Sequence, residues 1–250
     1  MNTLITQLHQ HTSIRQYKDE AITPSIIDAI LSAVQQAPSW INGQQVSIIR
    51  VTNSQKREQL MEMAGNQPYV AAAPEFFVFC LDFHRAAEAA KLEGKEFAVE
   101  GNVDLLLVGA TDVGIALGTA VAAAESFGLG TVAIGGVRKH PQQVIELLQL
   151  PPYVYPVSGL CIGYPAENPP LKPRLPLEAQ LFENEYNADV TEHLQRYNDT
   201  FSSYMSERTN GESNMNWTSG VAAFYGEPRY RGNSYDDAEA ALVQQKLLRK

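Results

Sequence analysis

Only two cysteines, Cys80 and Cys161, occur in the 250 residues. Two thiols cannot build a disulfide framework, and they fall short of the ligand set of a structural zinc site. Positive charge is scarce as well: 19 Lys plus Arg stand against 28 Asp plus Glu, a formal net charge of −9. Such a chain repels nucleic acid and anionic membrane as a whole, so neither is an expected partner. Any anionic ligand must be met by a local cluster of cations. The N-terminal stretch MNTLITQLHQHTSIRQYKDE has no basic segment followed by an apolar one. No secretory signal is therefore expected, and the default compartment is the reducing cytoplasm. The longest apolar run, about Val103 to Phe127, is broken by Asp104, Asp112 and Glu125. A membrane span needs about 20 apolar residues with few or no charges, so a buried helix is expected there.

Several chemical signatures are missing too. There is no G-x-x-x-x-G-K-[ST] loop for nucleotide hydrolysis and no G-x-S-x-G nucleophile elbow. The five histidines (His9, His11, His84, His140, His193) form no H-E-x-x-H or comparable spacing, and no metal site is expected. Gly128-Leu-Gly-Thr-Val-Ala133 satisfies G-x-G-x-x-A, but a dinucleotide fingerprint needs a strand before it and a helix after it. Here the order is reversed, so the glycines are expected to stop a helix and open a strand.

What is present is the composition of a globular protein, 44% hydrophobic and 19% charged, long enough for one sizeable core. Thr23-Pro24 looks like an N-cap followed by proline at the first helical position, with Ile26, Ile27, Ile30, Leu31 and Val34 on one face. Val46–Val51, Phe76–Leu81, Thr131–Ile134 and Val157–Ile162 have the pattern of strands. Ser54–Ala64, closed by Gly65, and a segment starting at Pro141 have the pattern of helices. Strands mixed with helices point to a layered α/β or α+β fold. In the Val103–Phe127 helix, Gly114, Gly118 and Ala122 recur at steps of four. They suit either close helix approach between subunits or plain core packing. Eight of the fourteen prolines lie between Pro151 and Pro176 and favour an extended arm. A helical pattern resumes from Asn184 to Arg208, and Asp236–Lys250 has the pattern of a last amphipathic helix, acids first and bases last.

Against this acidic background two cation clusters stand out. His11-Thr-Ser-Ile-Arg15 places an imidazole, a hydroxyl and a guanidinium at alternate positions, which share one side of an extended segment. That donor set suits a phosphate. Lys172-Pro-Arg174 again spaces two cations by two, on a chain stiffened by prolines. Ile134-Gly-Gly136 ends a strand in two glycines, which let backbone N–H groups approach a flat ligand edge. The Pro38–Gln44 loop and Gln67-Pro-Tyr69 carry amides suited to a heterocycle with donor and acceptor edges.

Taken in this order, His11-x-Ser-Ile-Arg15, Pro38–Gln44 leading into Ser47-Ile-Ile-Arg50, Gln67-x-Tyr69, Phe79-Cys80-x-Asp82-Phe83, Ala124-Glu-Ser-x-Gly-Leu-Gly130, Ile134-Gly-Gly136, Gly159-Leu-Cys-x-Gly163 and Leu171-Lys-Pro-Arg-Leu-Pro176 resemble the nitroreductase superfamily. The branch is that of oxygen-insensitive nitroreductase A and the NADPH-flavin oxidoreductases, and the resemblance runs from about His11 to Trp217. It implies an α+β fold, a central mostly antiparallel sheet wrapped by helices, in an intertwined homodimer. The chain would be a single domain over 1–250, with a Pro-rich extended arm over about 151–176 and a helical C-terminal excursion over about 184–250. It further implies non-covalent FMN, with NADPH and possibly NADH as co-substrate. His11, Ser13, Arg15, Lys172 and Arg174 match the family's positions around the phosphate and the flavin's polar edge. Ser39, Gln67 and Tyr69 match flavin-contact positions, in part from the partner chain, and Ile134, Gly135 and Gly136 match the loop that offers backbone groups to the ring. Arg208 matches the arginine that meets the NADPH phosphate. The implied activity is ping-pong transfer of two electrons from NADPH through FMN to nitroaromatics, quinones or free flavin, with no side-chain acid or base required. Flavin reduction as the main role, or a flavin-binding sensor without turnover, are the alternatives.

Overall fold

The computed structural model describes residues 2–226 and 235–249. Within them the chain divides into two compact units, residues 2–169 with 235–249 and residues 170–226.

The first unit is built on four strands: β1 (Val46–Arg50), β2 (Glu75–Asp82), β3 (Gly130–Ile134) and β4 (Val154–Gly163), in the order β1-β2-β4-β3 with every pairing antiparallel. Its helices are α1 (Thr3–His9), α2 (Pro24–Gln35), α3 (Ser54–Met63), α4 (Tyr69–Ala72), α5 (His84–Leu92), α6 (Val103–Ser126) and α7 (Pro141–Leu148). β2 is apolar at nearly every position because both of its faces are covered. Phe77, Phe79 and Leu81 pack with Ile27, Ile30 and Val34 of α2 and with Val113, Ala116 and Ala120 of α6. Phe76, Val78 and Cys80 point the other way, to Leu60, Val70 and Val144. Gly109 marks the close approach of α6 to β2, since a Cβ there would lie 2.8 Å from the Cβ of Leu81.

The strand pattern holds, with β4 starting three residues earlier than its apolar run. That start takes in Pro156, which has no N–H to donate to a ladder. The register shifts at this place: Phe79 faces Ser158 and Cys80 faces Pro156, so Val157 is the extra residue of a bulge. Its carbonyl accepts from Nη1 of Arg138.

Thr23 occupies the N-cap of α2 with Pro24 in its first turn, as expected, although its side chain makes no capping bond and meets Ser25 Oγ at 3.3 Å. Three expectations need correction. α6 is not buried all round: Leu105, Gly109, Asp112, Val113, Ala116, Ala120 and Ala124 are covered, whereas Leu107, Ile115, Gly114 and Gly118 are exposed. Of the helix expected over Asp236–Lys250, only α10 (Ala238–Gln244, numbered after the helices of the second unit) is α-helical. Lys246 then turns the chain at φ +59°, and Lys250 lies outside the described residues. The helical pattern placed from Asn184 begins only at Thr191.

The second unit holds α8 (Thr191–Arg208) and α9 (Trp217–Tyr225). The Asn216 side chain caps α9 by accepting from the N–H of Ser219, and the amide of Asn198 ties α8 to Thr218. Tyr197 packs edge-on against Trp217 and donates its hydroxyl hydrogen to the Pro173 carbonyl at 2.7 Å. Burial pushes the Tyr197 phenol up, against the lowering influence of Arg174.

Candidate functional site

The segment from His11 to Tyr17 runs extended beside the sheet. Ser13 bridges Thr131 on β3, the Ile14 N–H donates to the Thr131 carbonyl at 2.9 Å, and Tyr17 bridges Pro165. Thr131 is fully buried, so this anchor is rigid. His11 is turned toward the last turn of α6, where Nδ1 stands 2.5 Å from Oε1 of Glu125, and that oxygen also accepts from the Thr131 hydroxyl at 3.1 Å. Arg15 is exposed, and its guanidinium lies over the Tyr69 ring at 5.9 Å. The fork touches the Ser13 carbonyl at 3.3 Å and makes no ion pair among the described residues. Glu167, the nearby acid, is occupied by the backbone N–H groups of Arg15 and Gln16 instead.

The turn between α3 and α4 continues the same surface. Gly65, at φ +91°, ends α3, and Gln67 folds back to donate Nε2 to the Ala64 carbonyl at 2.6 Å. The Tyr69 hydroxyl donates to Gln67 Oε1 at 2.5 Å. β3 delivers Ile134, buried at 1% exposure, and then Gly135 and Gly136 in a 3₁₀ turn. A Cβ on Gly136 would lie 2.2 Å from the Ala64 carbonyl oxygen and 2.6 Å from Gln67 Nε2, so only glycine lets these two segments meet. The structure thus gathers His11, Ser13, Arg15, Gln67, Tyr69, Ile134, Gly135 and Gly136 around β3 and its two flanking segments. An uncommitted guanidinium beside a hydroxyl and an imidazole can hold a phosphate. Glycine backbone and amides beside it can meet a planar heterocycle. The donor set fits FMN.

Ser39 is not part of that gathering. It lines an open cleft of about 420 Å³ with Leu31, Gln44, Ser47, Arg85 and Asp112, and none of the other candidate residues lines it. Its loop is strained: Ile41, Asn42 and Gln44 take φ of +50°, +55° and +53°, and Ile is β-branched. The strain is held by buried Asp112, which accepts from the Trp40 N–H at 3.3 Å, and by Arg85, which donates to the carbonyls of Gln44 and Val46. Lys172, Arg174 and Arg208 belong to the second unit, where all three are exposed.

Sequence reasoning missed Glu125, Thr131, Asp112 and Arg85. Asp112 was visible only as an interruption of an apolar run, and Glu125 as such an interruption and as part of the Ala124–Gly130 motif, with no role attached. The signal in each was a carboxylate inside a helix with no lysine or arginine three or four residues away to solvate it. The two cysteines take no part: both are free and buried, and burial pushes each thiol up to about 12, out of the range of a nucleophile.

Comparison with known proteins shows the family. A family model described as "Nitroreductase family" matches residues 8–164, and a second, "Nitroreductase family, C-terminal domain", matches residues 172–250. This chain belongs to the nitroreductase family. Among its relatives, the FMN reductase [NAD(P)H] of Bacillus subtilis is 49% identical over 228 residues, 90% of this chain and 92% of that one. The oxygen-insensitive NADPH nitroreductase of Salmonella typhimurium is 40% identical over 218 residues, 87% of this chain and 89% of that one. The solved structure of NfrA2 from B. megaterium superposes with a TM-score of 0.94 at 46% identity, covering 98% of both chains. Nitroreductase membership fits the α+β fold.

Proposed function

We propose that this chain is an FMN-dependent NAD(P)H oxidoreductase that works by alternating half-reactions, with nitroaromatics, quinones or free flavin as acceptors. The observation that carries this is the chain of contacts beside β3: the Arg15 fork, free of carboxylates, lies over Tyr69, Tyr69 bonds Gln67, and Gln67 closes on the Gly135-Gly136 turn. FMN held there would supply hydride acceptance and two-electron transfer.

The protein's task is position and charge. Arg15, Ser13 and His11 hold the phosphate, and the family pattern assigns the same role to Lys172 and Arg174. Gln67 and Tyr69 offer an amide and a phenol to the ring, and their mutual hydrogen bond fixes both in advance of binding. Ile134 supports the Gly135-Gly136 turn from the core side, so backbone N–H groups stay fixed beside the ring's polar edge. Arg208 meets the coenzyme phosphate. No side-chain acid or base is placed in the reaction. The activity is assigned to the cytoplasm, where the unpaired Cys80 and Cys161 stay reduced.

The active form is a homodimer. On α6, Gly114 and Gly118 are exposed and a Cβ on either would meet nothing within 4 Å, while Leu107 and Ile115 stand exposed beside them. Such a face suits a second copy, which would also bring its own Ser39 loop to the flavin. Gly118→Leu should cost roughly 1–3 kcal/mol of association by overpacking and lower FMN content. A native monomer that keeps FMN and activity overturns the shared site.

For the activity itself, purified protein should be yellow, bleach anaerobically with NADPH, and recolour with a quinone. Initial rates at several quinone concentrations should give parallel double-reciprocal lines. A protein that binds no FMN overturns the proposal, and one that binds FMN without turnover is a sensor.

A further inference from the structure

The imidazole of His11 has one side already committed. Its Nδ1 lies 2.5 Å from Glu125 Oε1, and the same oxygen accepts from the Thr131 hydroxyl at 3.1 Å. With the Thr131 hydroxyl donating to that oxygen, the carboxylate is placed to accept from Nδ1 of the ring as well. The carboxylate is nearly covered, at 11% side-chain exposure, and Thr131 is fully buried. Glu125 therefore cannot swing away into solvent. It sits in the last turn of α6, Thr131 sits on β3, and Ser13 bridges that same Thr131. One carboxylate thus ties a helix end to the strand and to the His11 side chain.

We infer that Glu125 is the positioning residue of the flavin-phosphate site, acting through His11. This rests on the proposed FMN reading. With Nδ1 bonded to Glu125, Nε2 is the nitrogen left to meet a ligand. A neutral ring in that state presents a lone pair at Nε2, which an anionic phosphate repels. The phosphate needs an N–H there, and so needs the ring doubly protonated. The Glu125 carboxylate, held by Thr131 and close to Nδ1, places its negative charge behind the ring when Nε2 donates to the phosphate. The carboxylate thereby turns His11 into a phosphate ligand, although it never touches the phosphate itself. Of the ionisable groups lining the adjacent cleft, Glu125 and Glu167 are the acids and His11 is the base. Glu167 is already engaged by the N–H groups of Arg15 and Gln16, which leaves Glu125 as the counter-charge to the ring.

The test compares FMN with riboflavin, which has the same ring but no phosphate, on full-length protein stripped of flavin. Glu125→Gln keeps the size and an acceptor for Thr131 but removes the charge. It should weaken FMN about tenfold, the scale of one charge-assisted hydrogen bond, and leave riboflavin unchanged. Glu125→Asp, which keeps the charge but withdraws it from the ring, should give an intermediate loss and serves where the first variant folds poorly. In a His11→Gln background, Glu125→Gln should cost nothing further in FMN affinity. Equal losses for FMN and riboflavin, or additive losses in the double variant, overturn the role of Glu125. If Arg15→Ala and His11→Gln also leave the FMN-to-riboflavin ratio unchanged, the phosphate site itself is misplaced and the inference falls with it.

Discussion

In the first unit five of the candidate flavin residues are held by neighbours: His11 by Glu125, Ser13 by Thr131, Tyr69 by Gln67, Gln67 by Ala64, and Gly136 against both Ala64 and Gln67. In the second unit Arg208, the candidate for the coenzyme phosphate, is exposed and has no side-chain hydrogen bond or ion pair among the described residues. The difference is one of preorganisation. A resident cofactor gains affinity when its contacts are fixed before it arrives, because no ordering cost is left to meet at binding. A coenzyme that must leave after each half-reaction is better met by side chains ordered only while it is present. The braced cluster should therefore respond to single substitutions with large losses, and the open one with modest losses that depend on salt.

The largest effect is expected at Gly136. A Cβ 2.2 Å from the Ala64 carbonyl oxygen forces backbone to move, since neither segment has a flexible end there. Gly136→Ala should lower stability by about 2–3 kcal/mol, seen as a lower urea midpoint, and cut FMN occupancy. Its neighbour is the control: a Cβ on Gly135 comes no nearer than 3.5 Å, to an Arg138 nitrogen, so Gly135→Ala should leave stability unchanged. Equal tolerance at both positions would break the claim that this cluster is braced.

Arg15 comes next. Its fork is free of carboxylates but placed over Tyr69, so Arg15→Ala should weaken FMN by about ten- to a hundredfold. Arg15→Lys should recover only part of that loss, because an ammonium cannot make the bidentate contact. Tyr69→Phe should be milder. It leaves Gln67 Oε1 without its 2.5 Å donor, which costs about 1 kcal/mol and shows as a several-fold weaker FMN affinity.

How far this was legible in sequence differs between backbone and side chains. The β2 run announced a strand covered on both faces, and the glycines Gly128 and Gly130 ended a helix and opened β3 as expected, with Gly128 at φ +73°. The candidate cluster beside β3 drew attention as motifs because its residues stand in local groups, His11 to Arg15 and Gln67 to Tyr69. The roles of Glu125 and Asp112 were not legible, because their partners His11 and Trp40 lie 114 and 72 residues away. Spacing in the chain carries no trace of a contact that long. The open face of α6 was ambiguous for another reason. Small residues at steps of four look alike whether they meet the chain's own core, as Gly109 does, or nothing in it, as Gly118 does.

The smallest effect, and the sharpest test of the open side, belongs to Arg208. It ends α8 just before a turn closed by the Thr209 hydroxyl, which accepts from the Ser213 N–H at 2.9 Å. Between Thr209 and Asn216 the chain offers hydroxyls and amides, one acid, Glu212, and no second cation. NADPH differs from NADH by a phosphate, and one solvent-exposed arginine beside Glu207 and Glu212 recognises it weakly because water and salt screen the contact. NADPH should therefore be preferred, with NADH still usable. Arg208→Ala should lower kcat/KM for NADPH about two- to fourfold and leave NADH unchanged. Raising ionic strength on the native protein should shrink the same preference. Equal losses for both coenzymes would make Arg208 a structural residue of α8. A preference that survives high salt would place a covered cation at the coenzyme phosphate and erase the contrast between the two units.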